Sequence, residues 1–201
     1  MSKWSWWFVG WVITGVILWV FSPAHAEDLL PKSGTWSLGV KAGYSFSLDN
    51  KGVDMAHANL HIGYTLFNGQ WWVVPAGSFE LGVEPFGSAI VSLKKKTASG
   101  ATEYGLGLPI LTYYFDLGYG FAPYLTGGLG LMYKDLRGYR LGGHFTFMET
   151  AGLGLAYFLD NNLSLSAEWR FRHMSNAGIY NDNVGLNSSM FLAGLSYYLP
   201  N

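Results

Sequence analysis

Two residues of this chain stand where they could break an ester. His173 and Ser175 lie two apart, and side chains two apart on a β-strand point the same way, so the imidazole can take the hydroxyl proton as the oxygen attacks a carbonyl. Ser175-Asn176-Ala177-Gly178 then leads into a stretch holding Asn181, Asp182, Asn183 and Gly185. An Asn amide next to a backbone N–H freed by glycine offers two donors to the oxyanion that such an attack creates. Taken alone, the pair equally suits the rim of a membrane protein, where an apolar face gives way to headgroups and water, and the same loop is an ordinary turn.

The element that carries the pair narrows the choice. From Leu163 the odd positions read Leu163, Leu165, Ala167, Trp169 and Phe171, a greasy face that His173 and Ser175 continue, while Glu168, Arg170 and Arg172 lie on the other side. The same alternation runs from Thr35 to Leu48 and from Ala56 to Leu66. Further strands are predicted over about 79–93, 101–115, 123–133, 145–159, 163–175 and 187–199, the fourth strand having the weakest alternation. Eight segments of about ten residues suit an eight-stranded antiparallel transmembrane β-barrel.

Composition agrees. Of 201 residues, 17% are aromatic and only 12% charged, and after residue 26 no apolar run is long enough to cross a bilayer as a helix. Twelve basic residues against thirteen acidic ones leave no field for nucleic acid. The absence of cysteine excludes disulfides, thiolate metal sites and a thiol nucleophile. Lys3, an apolar run from Trp4 to Phe21 and Ala24-His25-Ala26 have the layout of a secretory leader over 1–26, leaving 27–201 as a single barrel domain.

A small barrel is filled by its own side chains, so Lys41, His57, His61, Glu80, Glu84, Glu168, Arg170 and Arg172 are expected to point inward and pair. A water-soluble barrel would invert that arrangement. His57 and His61, four apart on a strand, are about 13 Å from each other by the usual rise, too far to share a metal. With both termini in the periplasm, the loops near 49–54, 94–100, 134–144 and 176–186 lie outside the cell.

Phe171-Arg172-His173-Met174-Ser175-Asn176-Ala177-Gly178, with Asn183 and Gly185, resembles the signature of the lipid A 3-O-deacylase (PagL) family. The resemblance implies an outer-membrane barrel with an external active site, in which Ser175 is the nucleophile, His173 the base, and Asn176 and the Gly178 amide the oxyanion donors. The family's acid would fall at position 187, where this chain has Asn187. An Asn can still accept the imidazole N–H and fix its tautomer without supplying charge. The outer-membrane phospholipase A family, similar only in its His-x-Ser arrangement on a barrel exterior, uses an Asn in this role.

A second source of an acid is open. If Asp160-Asn161-Asn162 is a three-residue hairpin turn, Leu159 faces Leu163 and Glu149 faces His173, which puts a carboxylate on an otherwise lipid-facing side. Lys94, Lys95 and Lys96, with Arg137 and Arg140, put positive charge in two outer loops where lipid A phosphates would lie, or serve as solvated loop charge.

The expected activity is removal of an ester-linked 3-hydroxyacyl chain from the 3-position of lipid A, with lipopolysaccharide as partner and neither metal nor organic cofactor. A phospholipase on the same chemistry and a non-catalytic structural barrel are the alternatives, and a homodimer is compatible with any of them.

Overall fold

In a computed structural model of the chain, residues 29–49, 52–94, 100, 102–137 and 139–200 are described. The expected leader, with its cleavage after Ala26, lies outside them. Eight strands follow in order: β1 (Trp36–Ser47), β2 (Val53–Trp71), β3 (Val74–Leu93), β4 (Thr102–Phe115), β5 (Phe121–Lys134), β6 (Phe145–Phe158), β7 (Leu163–Ser175) and β8 (Leu186–Tyr198). Each pairs antiparallel with its sequence neighbours and β8 pairs back onto β1, so the sheet closes and leaves no edge.

Side-chain alternation sorts the two faces. Leu38, Val40, Leu60, Leu125, Leu129, Leu153 and Phe191 are exposed on the outside, whereas Lys41, Glu80, Glu84, Glu103, Glu168, Arg170 and Arg172 are buried in the lumen. That is apolar out and charged in, the reverse of a barrel dissolved in water, and it makes the bilayer the solvent of the outer face.

The lumen charges neutralise one another, as burial requires. Lys41 Nζ lies 2.9 Å from Glu84 and 3.1 Å from Glu168. Arg170 donates to Glu84 at 2.7 Å and also to Glu168. His61 bridges Glu80 and Glu84, and Arg172 reaches Glu103 at 2.9 Å. His57 sits between the hydroxyls of Ser45 and Ser88, each 2.7 Å away, as a packing residue of the lumen.

Above and below this polar middle lie two apolar plugs. Met55, Phe86, Met132, Met148, Met174 and Leu186 close the end away from the termini, with Leu136, Tyr139 and Leu141 folded over them. Leu30, Tyr114, Tyr124, Phe158 and Tyr198 close the other end.

Three strands depart from the alternation, and bulges explain each. β2 and β3 extend to Val53–Trp71 and Val74–Leu93 rather than 56–66 and 79–93, because register shifts at Thr65/Phe67 and Gly69/Trp71 interrupt the pattern while backbone pairing continues. In β4, Leu108 and Pro109 both face outward where the register shifts between Gly107 and Ile110. A proline has no N–H to give the ladder, so a bulge accommodates it, and the phase of the strand changes there.

Candidate active site

β7 presents Phe171, His173 and Ser175 on its outer side while Arg170, Arg172 and Met174 are buried inward, so the imidazole and hydroxyl share the lipid-facing side at the end of the barrel away from the termini. Both are half-buried. The β6–β7 hairpin closes with Leu159 N donating to Leu163 O at 2.8 Å, and the ladder that follows sets Glu149 opposite His173 and Phe147 opposite Ser175. On its other flank β7 pairs with β8, where Asn187 is the register partner of His173. Glu149 and Asn187 therefore stand on either side of the same imidazole.

The hydrogen bond goes to the amide. His173 Nδ1 donates to Asn187 Oδ1 at 2.6 Å, which places the ring proton on Nδ1 and leaves Nε2 as the basic nitrogen. Glu149 is exposed and makes no hydrogen bond to His173 among the described residues. The Cε1–Nε2 edge lies against Gly185, where a Cβ would come within 2.9 Å of Cε1 and 3.5 Å of Nε2. Gly185 also has φ +72°, so two independent reasons exclude a side chain there. No hydrogen bond joins Ser175 Oγ to the imidazole among the described residues, and the backbone carbonyl of Ser175 is held by the Thr146 hydroxyl.

The loop after β7 is built around Asn176, which is fully buried. Its Nδ2 donates to Leu141 O at 3.2 Å and Asp182 O at 2.7 Å, and its Oδ1 accepts Gly178 N at 2.9 Å. Asn176 N donates to Asn183 Oδ1 at 2.9 Å. Ala177 and Gly178 both have positive φ, and around the Gly178 Cα on its Cβ side nothing lies within 4 Å. Both expected oxyanion donors lie within three residues of Ser175 in the chain, and each is engaged by an acceptor of the loop itself. The Gly178 N–H donates to the Asn176 side-chain oxygen Oδ1, an Asx turn.

The cationic residues divide around the rim. Arg140 Nε pairs with Asp182 at 3.1 Å, and Arg140 O accepts Val184 N at 3.1 Å, so the β5–β6 loop leans directly on the loop after Ser175. Arg137 Nη2 reaches His144 Nε2 at 3.2 Å on the same loop. Lys94 is exposed at the end of β3, four strands round the ring from β7, and Lys95 and Lys96 lie outside the described residues.

One contact was not visible in the sequence: Asp49, just past β1, accepts Asn187 N at 3.2 Å. Its position becomes apparent only when β1 and β8 close the ring.

A search of curated protein sequences gave no match. Among solved structures the chain is similar to the outer membrane enzyme PagL, with 18% identity and a TM-score of 0.55 over 79% of this chain and 97% of that one. It is also similar to Neisserial surface protein A, with 19% identity and a TM-score of 0.60 over 82% of this chain and 97% of that one. At such identities the likeness is one of fold, the outer-membrane eight-stranded barrel. The family model for lipid A 3-O-deacylase (PagL) matches residues 55–196, a span that takes in His173, Ser175, Asn176, Gly178 and Asn187. The chain is an outer-membrane β-barrel and belongs to the lipid A 3-O-deacylase (PagL) family.

Proposed function

We propose that the protein is a serine esterase of the outer leaflet that removes the 3-hydroxyacyl chain ester-linked at the 3-position of lipid A. Ser175 Oγ attacks the ester carbonyl and its proton passes to His173 Nε2. The tetrahedral intermediate is stabilised by the Gly178 N–H and the Asn176 amide once the loop releases them. Collapse expels the sugar oxygen, which takes the proton from His173. Water then attacks the acyl-Ser175 ester by the same route in reverse and frees the hydroxy fatty acid. Arg140 and Arg137, on the loop against the site, meet the phosphates of the substrate, with Lys94, Lys95 and Lys96, which follow β3 in sequence, as a second cationic group.

The observation that carries this reading is the hydrogen bond from His173 Nδ1 to Asn187 Oδ1, on the outward face with Ser175 two residues beyond, because it leaves Nε2 as the base. Its test is mass spectrometry of lipid A from cells expressing the wild type or Ser175→Ala. Loss of one hydroxyacyl mass in the wild type alone supports it, and identical lipid A in both leaves a structural barrel.

An amide in the orienting position also favours a second reading, a phospholipase. Glycerophospholipids hydrolysed by the wild type with lipid A intact would decide for it.

A further inference from the structure

The hydrogen bond that fixes His173 comes from a neutral amide, yet taking the serine proton makes the imidazole a cation. An amide can orient the ring but carries no charge to meet the imidazolium. The carboxylate nearest in register, Glu149, is exposed and makes no hydrogen bond to either His173 or Asn187 among the described residues. Asp49 is placed differently. It lies two residues past the strand that closes the barrel against β8, it is half-buried, and its Oδ2 accepts the backbone N–H of Asn187 at 3.2 Å. The next residue back, Leu48, donates its N–H to Asn187 O at 2.8 Å. Asn187 is therefore gripped on both sides of its backbone, and the grip on its N–H side is an acidic side chain.

We propose that Asp49 is a positioning residue for the His173–Asn187 pair, pinning Asn187 at the start of β8 and lending the negative charge that position 187 lacks. The charge sits behind the amide rather than in contact with the imidazole. It meets the charge that develops on the imidazole during proton transfer by way of the Asn187 backbone it grips, at a rim where protein and lipid screen it less than water would. The inference rests on the esterase reading above. It adds to that reading a group from a loop on the opposite side of β8 from β7, outside the stretch that resembles the family signature.

The test uses the full-length protein in detergent micelles, with folding checked by heat-modifiable migration on gels. Ser175 is labelled with a fluorophosphonate, in which Ser175 Oγ bonds to phosphorus, fluoride leaves and His173 takes the proton. The labelling rate, read by intact-mass spectrometry, reports serine activation without any lipid substrate. Asp49→Asn keeps an acceptor for Asn187 N but removes the charge. It should slow labelling and lower kcat for acyl release about tenfold, with KM changed less than about twofold. In an Asn187→Glu background, or Asn187→Asp if that variant does not fold, the charge is already in place and Asp49→Asn should no longer slow labelling.

Wild-type labelling rates in Asp49→Asn overturn the proposal. So does an equal slowing in both backgrounds, which would make Asp49 a backbone pin alone. If the wild type labels at Ser175 but leaves lipid A intact, the substrate reading fails and the labelling ratio still decides the role of Asp49. If the folded wild type is not labelled at Ser175, both fail.

Discussion

At the scale of single residues, the site depends on which nitrogen of His173 carries a proton, and that is set by one contact. Asn187 Oδ1 accepts from Nδ1, so removing it frees the ring to rotate and to exchange tautomers. Asn187→Ala should lower kcat for acyl release about 100-fold with the barrel still folded, in line with the worth of a positioned general base. Glu149→Gln, on the unbonded flank of the ring, should stay within about threefold of the wild type. The reverse ranking in a fatty-acid release assay would move the orienting role to Glu149. Gly185 offers a further check from steric grounds. An added Cβ meets the imidazole edge at 2.9 Å on a backbone with φ +72°, so Gly185→Ala should cost roughly 1–3 kcal/mol of local strain and depress turnover without shifting KM.

At the scale of elements, the loop after β7 and the loop between β5 and β6 act as one unit. Asn176 bonds to Leu141 O on one side and Asp182 O on the other, and Val184 N returns to Arg140 O. Replacing the buried amide by an apolar group of similar size leaves those carbonyls without donors, at about 1 kcal/mol or more each. Asn176→Leu is thus expected to speed chymotryptic cleavage after Tyr180, which is exposed in that loop, while the barrel itself stays intact. Unchanged cleavage would mean the loop is held chiefly by other contacts. The Arg140–Asp182 pair is different in kind. With both side chains more than half exposed, a double-mutant cycle on stability should return less than about 1 kcal/mol, so the two loops are held together chiefly by the buried Asn176 contacts.

At the scale of the whole molecule, a closed sheet filled with paired charges holds the rim in fixed register, which is what a site on two adjacent strands needs. Glu84 is the hub of that filling, bonded to Lys41, His61 and Arg170. Glu84→Ala leaves those buried groups short of their shared partner and should destabilise the barrel by about 3–5 kcal/mol in urea unfolding from lipid vesicles. A loss under about 1 kcal/mol would show that water or a neighbouring carboxylate takes over.

Much of this was written in short-range patterns. Period-two alternation placed His173 and Ser175 on the outer face of β7, and a three-residue turn was enough to set Glu149 opposite His173, because a hairpin's register follows from its own turn length. Bulges blurred the pattern in β2, β3 and β4, where a one-residue slip reverses the faces without ending the strand. Other features required the closed ring. Whether His173 would bond to Glu149 or Asn187 depended on side-chain placement between two equally adjacent strands, which alternation does not encode. The meeting of Asp49 with Asn187 depends on the β1–β8 register, which accumulates the stagger of every strand and bulge between them, and so only tertiary structure decides it.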